Sequence, residues 1–207
     1  MTIEDIMRRA PVIPVLTIAR VDQAVPLARA LVAGGLPVLE VTLRTDAALD
    51  AVAAIRREVP DAIVGLGTMT RREDFEAARK VGAAFGVSPG LTPALAEAAA
   101  ASGLPFLPGV ATASEAMRAQ ESGFSRLKFF PAEAAGGRAM LSSIAGPFPD
   151  LRFCPTGGVK EETAADWLKL PNVLCVGGSW LAGAADLDAG AWEEIEGRAR
   201  RAAALNG

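Results

Sequence analysis

Two residues in this chain carry charge where their neighbours predict burial. Lys128 stands in Arg126-Leu127-Lys128-Phe129-Phe130-Pro131, and Glu40 in Val38-Leu39-Glu40-Val41-Thr42-Leu43-Arg44. Both segments are largely apolar, the pattern of a buried strand. Desolvation disfavours an ammonium group, so burial draws a lysine down from its reference pKa of ~10.4, and a neutral amine attacks carbonyls. A buried carboxylate is pushed the other way unless a cation compensates, which suits it to take and return a proton. Two bland readings stand beside these. Lys128 could be a strand-end lysine that snorkels to solvent, or the two residues could form a structural ion pair, which is also compatible with catalysis. The other lysines, Lys80, Lys160 and Lys169, fall at polar helix termini where water can hold their charge.

Absences narrow the chemistry further. The chain has neither histidine nor tyrosine, so a Ser-His-Asp or Cys-His triad is impossible, and a zinc or iron site would need carboxylates plus two distant cysteines. Acid-base work therefore falls to Asp, Glu, Lys or Cys. Cys154 and Cys175 lack any CxxC spacing and lie in apolar runs, which predicts buried free thiols rather than a disulfide or metal pair. Net charge is -3 with both signs interspersed, which offers no basic stripe to nucleic acid and none to a membrane surface. No apolar run reaches the length of a membrane span, and Met1-Thr2-Ile3-Glu4-Asp5 does not open like a signal peptide, so a cytoplasmic location is expected.

The elements that must position these residues follow from periodicity. Short apolar runs alternate with Ala-rich amphipathic stretches at a spacing of about 25 residues, the length of one strand-loop-helix unit. The predicted strands are Val12–Ile18, Val38–Leu43, Ile63–Gly67, Phe85–Ser88, Phe106–Pro108, Leu127–Phe130, Arg152–Pro155 and Val173–Gly177. Helices such as Asp46–Glu58 and Glu73–Val81 follow them, with Ile3–Ala10 ahead of the first strand and Gly190–Ala204 at the end. Strands this apolar must be covered on both faces, which predicts a parallel sheet wrapped by helices. Eight units indicate an α/β fold of the (β/α)8 TIM-barrel class with an extra N-terminal helix, as one domain over residues 1–207; a doubly wound open sheet is the alternative.

In such barrels the chemistry sits at the C-terminal ends of the strands. The period of two puts Glu40, Thr42 and Arg44 on one face of the second strand, inward, and Leu39, Val41 and Leu43 under the helices. Arg44 has the planar fork that suits a carboxylate or phosphate, although it could be a plain surface arginine. Gly65-Leu66-Gly67-Thr68 offers backbone N–H groups and a hydroxyl with little bulk in the way, and Ser88-Pro89-Gly90 and Pro108-Gly109 end their strands in turn chemistry. Thr156-Gly157-Gly158 and Gly177-Gly178-Ser179 follow the seventh and eighth strands, where barrels of this kind often bind phosphate.

Taken in order, Leu39-Glu40-Val41-Thr42-Leu43-Arg44-Thr45, Gly67-Thr68, Ser88-Pro89-Gly90, Pro108-Gly109, Lys128-Phe129-Phe130-Pro131-Ala132-Glu133, Phe153-Cys154-Pro155-Thr156-Gly157-Gly158 and Gly177-Gly178-Ser179-Trp180 resemble the class I aldolases for 2-keto-3-deoxy-6-phosphogluconate (KDPG) and 4-hydroxy-2-oxoglutarate (KHG). The resemblance implies a Schiff-base lysine at Lys128 and a proton acceptor and donor at Glu40. It implies Arg44 and Thr68 on the pyruvate carboxylate, Thr156 near the aldehyde end, and Gly157, Gly158, Gly178 and Ser179 around the phosphate, with Pro89 and Phe130 lining the pocket. It implies no cofactor and no metal, a phosphorylated 2-keto-3-deoxy acid and pyruvate as small-molecule partners, and a homotrimer. Rival expectations are the same chemistry on KHG or on the galactonate epimer, a phosphosugar isomerase or epimerase, and a non-catalytic phosphometabolite-binding barrel.

Overall fold

The computed structural model describes residues 1–205 and is built from parallel strands alternating with helices. The strands are β1 (Val12–Leu16), β2 (Val38–Thr42), β3 (Ile63–Gly67), β4 (Gly86–Val87), β5 (Phe106–Leu107), β6 (Gly109–Val110), β7 (Arg126–Phe129), β8 (Arg152–Pro155) and β9 (Val176–Gly178). Every pairing among them is parallel. One ladder runs β5-β4-β3-β2-β1-β9 and the other β6-β7-β8. Isolated parallel bridges, Phe153 to Val173 and Thr156 to Gly177, join β8 to the segment that becomes β9. The sheet thus curls until its last strand lies beside its first, a TIM-barrel-like α/β fold rather than a doubly wound open sheet.

The helices coat the outside of this sheet. They are α1 (Ile3–Met7), α2 (Ala24–Ala33), α3 (Ala48–Glu58), α4 (Glu73–Lys80), α5 (Pro93–Ser102), α6 (Ala113–Glu121), α7 (Gly137–Ala145), α8 (Glu161–Leu168), α9 (Ala184–Ala189) and α10 (Trp192–Ala203). Leu39 and Val41 of β2 pack with Leu27 and Leu31 of α2 and with Val52 and Ile55 of α3 in the main apolar cluster. Each such fully buried side chain contributes about 1.5–3 kcal/mol through removal from water. A second cluster joins Val38, Ile13, Phe85, Val87, Leu107, Cys154 and Cys175 to Ile6 and Met7 of α1. Alternation along each strand generates the two clusters, since Val38 and Glu40 share one face of β2 while Leu39 and Val41 share the other. Cys154 and Cys175 are buried free thiols, and the neighbouring Cys154, followed by burial, pushes the Cys175 thiol well above the ordinary thiol range.

Several boundaries differ from the sequence expectation, and three of them bear on the site. Pro108 was expected to end the fifth strand, yet Gly109 and Val110 pair on with Lys128 and Phe129 as β6. Proline removes a donor but keeps its acceptor, and the Pro108 carbonyl receives the Lys128 N–H at 2.8 Å. The last strand was expected over Val173–Gly177, but regular pairing covers Val176–Gly178, so Gly178 belongs to the strand rather than to the loop after it. β2 ends at Thr42, and Arg44 stands in the turn beyond, where the two-residue alternation no longer applies. Residues 206 and 207 of the expected single-domain span lie outside the described residues.

Candidate active site

β2 and β7 bring the two charged side chains together across the interior. Lys128 Nζ donates to Glu40 Oε1 at 3.0 Å and to Oε2 at 3.4 Å, and both residues are buried, Glu40 at 3% and Lys128 at 5% exposure. The snorkelling reading of Lys128 is therefore excluded, and the ion-pair reading holds. Backbone ladders fix each position: Glu40 lies between Val15 and Gly65, and Lys128 between Gly109 and Cys154. At 3.0 Å the gross attraction is about 5 kcal/mol at an effective dielectric of ~20, most of it offset by desolvation of both ions. The Phe130 ring, two residues along from Lys128, comes within 5.4 Å of its ammonium, a cation–π contact.

Gly67 makes the room for Glu40, and other glycines admit Thr156 and the Pro89 backbone, which is the feature that sequence reasoning missed. A Cβ on Gly67 would sit 2.3 Å from Glu40 Oε1, and one on Gly177 would sit 2.2 Å from Thr156 Oγ1. A Cβ on Gly109, the ladder partner of Lys128, would meet the Pro89 backbone at 2.3 Å. These residues had looked like ligand-accessible turns; their demand is instead that catalytic-side neighbours occupy their missing side chains. The available signal was Gly-x-Gly inside a strand, where glycine weakens the sheet unless something approaches closely.

The remaining sequence-identified residues lie at the C-terminal ends of their strands and in the segments that follow. Thr156 is buried, its N–H bonds the Phe129 carbonyl at 2.9 Å, and its hydroxyl reaches the Cys154 carbonyl at 3.4 Å. The loop after it is tied to the loop after β7 by Ala132 N–H to Thr156 O at 2.8 Å and Glu133 N–H to Gly157 O at 3.0 Å. Gly157 and Gly158 have φ of 97° and 83°, the left-handed region that favours glycine, so this loop needs both. Ser179 is exposed in the turn after β9. The Trp180 ring fills the space beside Gly178, where a Cβ would meet that ring at 2.4 Å, so Gly178 can present only its backbone.

Arg44 and Thr68 meet in a cleft of about 600 Å³ at the ends of β2 and β3, which they share with Thr45, Thr70, Arg71 and Asp74. Thr68 has φ of 60°, a conformation that costs a non-glycine residue about 1–2 kcal/mol and clusters at ligand-binding sites. Thr42, on the Glu40 face, is satisfied structurally: its hydroxyl donates to the Leu16 carbonyl at 2.9 Å and lies 3.2 Å from the Thr17 hydroxyl. Among the described residues no group of three metal-ligating side chains comes together. Nor is any described helix long and apolar enough to cross a membrane.

A buried lysine hydrogen-bonded to a buried carboxylate inside a TIM-like barrel defines a class of site equipped for amine-based attack on a carbonyl, with a proton acceptor in place. Comparison with known proteins narrows the class. The family model for KDPG and KHG aldolase matches residues 3–197, and the chain belongs to that family. It is 49% identical over 201 residues to the 2-dehydro-3-deoxy-phosphogluconate aldolase of Pseudoalteromonas atlantica, covering 97% of this chain and 94% of the relative. It is 49% identical over 199 residues to the KHG/KDPG aldolase of Escherichia coli, covering 96% and 93%. Among solved structures, the KDPG aldolase of Legionella pneumophila with pyruvate captured as a covalent carbinolamine superposes with a TM-score of 0.96 at 41% identity, covering 99% of both chains.

Proposed function

We propose that this protein is a class I aldolase that reversibly cleaves 2-dehydro-3-deoxy-6-phosphogluconate to pyruvate and glyceraldehyde 3-phosphate. The single observation that carries this reading is the buried 3.0 Å contact between Lys128 and Glu40. Glu40 can accept a proton from Lys128, leaving an amine whose lone pair attacks the C2 ketone and forms a carbinolamine. Glu40 returns that proton to the carbinolamine hydroxyl, which leaves as water, and the resulting protonated imine draws the electron pair of the C3–C4 bond as the restored Glu40 carboxylate, through a water, takes the C4 hydroxyl proton. The aldehyde leaves, the enamine is protonated at C3, and hydrolysis of the pyruvate imine restores Lys128. One carboxylate thus serves as base and then as acid, and the sequence of steps needs no metal or organic cofactor.

In this reading Arg44 and Thr68 receive the pyruvate carboxylate, Phe130 and Pro89 line the pocket, and Thr156 faces the aldehyde end. The phosphate falls to Gly157, Gly158, Gly178 and Ser179, with Gly178 contributing backbone only, since the Trp180 ring stands where a side chain would be. The barrel is a closed (β/α)8 single domain in which β5 and β6 count as one interrupted strand, and α1 packs Ile6 and Met7 into its base as an extra helix. A homotrimer in the cytoplasm completes the proposal. Cleavage of 4-hydroxy-2-oxoglutarate is a second reading, favoured by the E. coli relative whose name carries both substrates.

Treatment with pyruvate and borohydride followed by peptide mass spectrometry tests the mechanism. A pyruvate-sized secondary amine on Lys128 alone is expected. A folded protein that yields no adduct, or an adduct on another lysine, refutes it.

A further inference from the structure

At the opposite end of the sheet from the Lys128–Glu40 pair lies a cavity of about 610 Å³ with no part in the chemistry above. Its walls come from the N-terminal ends of strands: the residues leading into β1, the first residue of β8, and the α8–β9 connection. Arg8, Arg9, Arg152 and Lys169 line it, and among the described residues no carboxylate does. For a chain of net charge -3 this is a local reversal of sign.

The nearby acids do not cancel it. Glu4 is shared between Arg8 at 2.8 Å and Arg126 at 2.6 Å, and Asp166 between Lys169 at 3.0 Å and Arg138 at 2.6 Å. Each carboxylate thus answers two cations. Asp5, the acid that feels Arg9, accepts from the Thr2 N–H at 2.8 Å and keeps its charge, so it offsets Arg9 in part without pairing with it. Arg152 is oriented by neutral acceptors only, with Nη1 donating to the Pro149 carbonyl at 2.7 Å and the Leu151 carbonyl at 2.9 Å. Those two bonds fix the guanidinium without reducing its charge. Neither Arg9 nor Arg152 has a carboxylate partner within salt-bridge distance among the described residues.

Leu168, Leu170, Pro171 and Leu174 add apolar side chains to a wall whose exposed surface is otherwise mostly polar. Arginine forks match phosphate oxygens, apolar side chains suit an organic body, and the volume is that of a small-molecule site. We infer that this basal cavity is a second ligand site that binds an organic phosphate, separate from the catalytic mouth.

Isothermal titration of ATP, used as the probe, at low ionic strength tests this. The wild-type protein should bind it at the basal cavity with an affinity that weakens as salt rises. Arg9→Glu and Lys169→Glu should each weaken binding about tenfold or more, because each replaces an attraction by a repulsion. Ser179→Asp, which places a negative charge at the opposite mouth, should leave it unchanged. Unfolding curves for the three variants confirm that each is folded. No binding up to about 5 mM, or binding indifferent to both basal reversals, overturns the inference. Loss of binding in Ser179→Asp alone overturns it too, by placing the phosphate at the catalytic mouth. Pyrophosphate that binds as tightly as ATP would remove the organic half of the assignment.

Discussion

Gly67→Ala is the substitution through which the geometry of the pair can be tested most directly. The new methyl would lie 2.3 Å from Glu40 Oε1, 2.6 Å from Cγ and 2.8 Å from Cδ. Ordinary contact begins at 3.4 Å, so the carboxylate must retreat by about 1 Å, and because Cγ also clashes, a swing of the carboxyl tip cannot relieve it. Gly67 is not in the left-handed region, so alanine fits its backbone and the effect isolates the contact. A shift of that size displaces the carboxylate from the position in which it makes its 3.0 Å bond to Lys128. A misplacement of this size costs about 10²-fold in turnover, and the overpacking costs about 1–3 kcal/mol of stability. Pyruvate release in a coupled reduction assay reads the first and urea unfolding the second. Gly65→Ala is the control: its methyl would press on the Phe85 ring at 2.6 Å rather than on the carboxylate, giving a similar loss of stability with far less loss of turnover. Turnover in Gly67→Ala within about threefold of wild type would refute the claim that Glu40 must stand where it does.

Lys128→Met should abolish cleavage and also destabilise the fold by about 3–5 kcal/mol, since it strands Glu40 as a buried charge; adding Glu40→Gln should recover most of that stability. Urea midpoints decide the matter, and a double variant no more stable than the single one would contradict it. Asp186 is held at a pKa of about 2, below its ordinary 3.8, first by the Arg198 guanidinium and then by the Gly183 N–H. Because the folded pKa is depressed, the stabilisation is complete above about pH 4 and is lost as pH falls through about 2. After a discount for solvent screening of this partly exposed pair it is about 1–2 kcal/mol, so Asp186→Asn should lower stability at pH 6 by that amount and hardly at all at pH 2. A difference independent of pH would refute the assignment.

Much of this was legible in the sequence because the chemistry lies on strands, where the period of two is unambiguous. Glu40 inward and Leu39 and Val41 outward followed from alternation alone, and Ile63–Gly67 and Arg152–Pro155 were delimited correctly. Lys128 was conspicuous because a cation among aromatic residues has few uses. The errors share a cause: alternation is local, whereas pairing depends on what lies alongside. Pro108 looked like a stop because it lacks an N–H, but its neighbour on β7 asks only for its carbonyl. Gly178 looked like part of the loop after the last strand because nothing local shows that Pro14 of β1 lies alongside and pairs with it. The basal cavity escaped notice because Arg8, Arg9, Arg152 and Lys169 are dispersed along the chain and meet only when the strands converge.

The division of labour between strands and loops bears on how such an enzyme could be redirected. Lys128 and Glu40 are each clamped by ladder partners on both sides, whereas Arg44, Thr68, Thr156, Gly157 and Ser179 stand in the segments that follow β2, β3, β8 and β9. In the proposed mechanism bond-making is thereby insulated from recognition. Loops at the rim can be exchanged, one at a time, to admit a different aldehyde while the amine and its carboxylate keep their spacing, so substrate range is the property of this scaffold most open to change. The same insulation sets the boundary on redesign: a substitution inside β2 or β7 tests the reaction itself, and one beyond their ends tests only what the reaction is performed on.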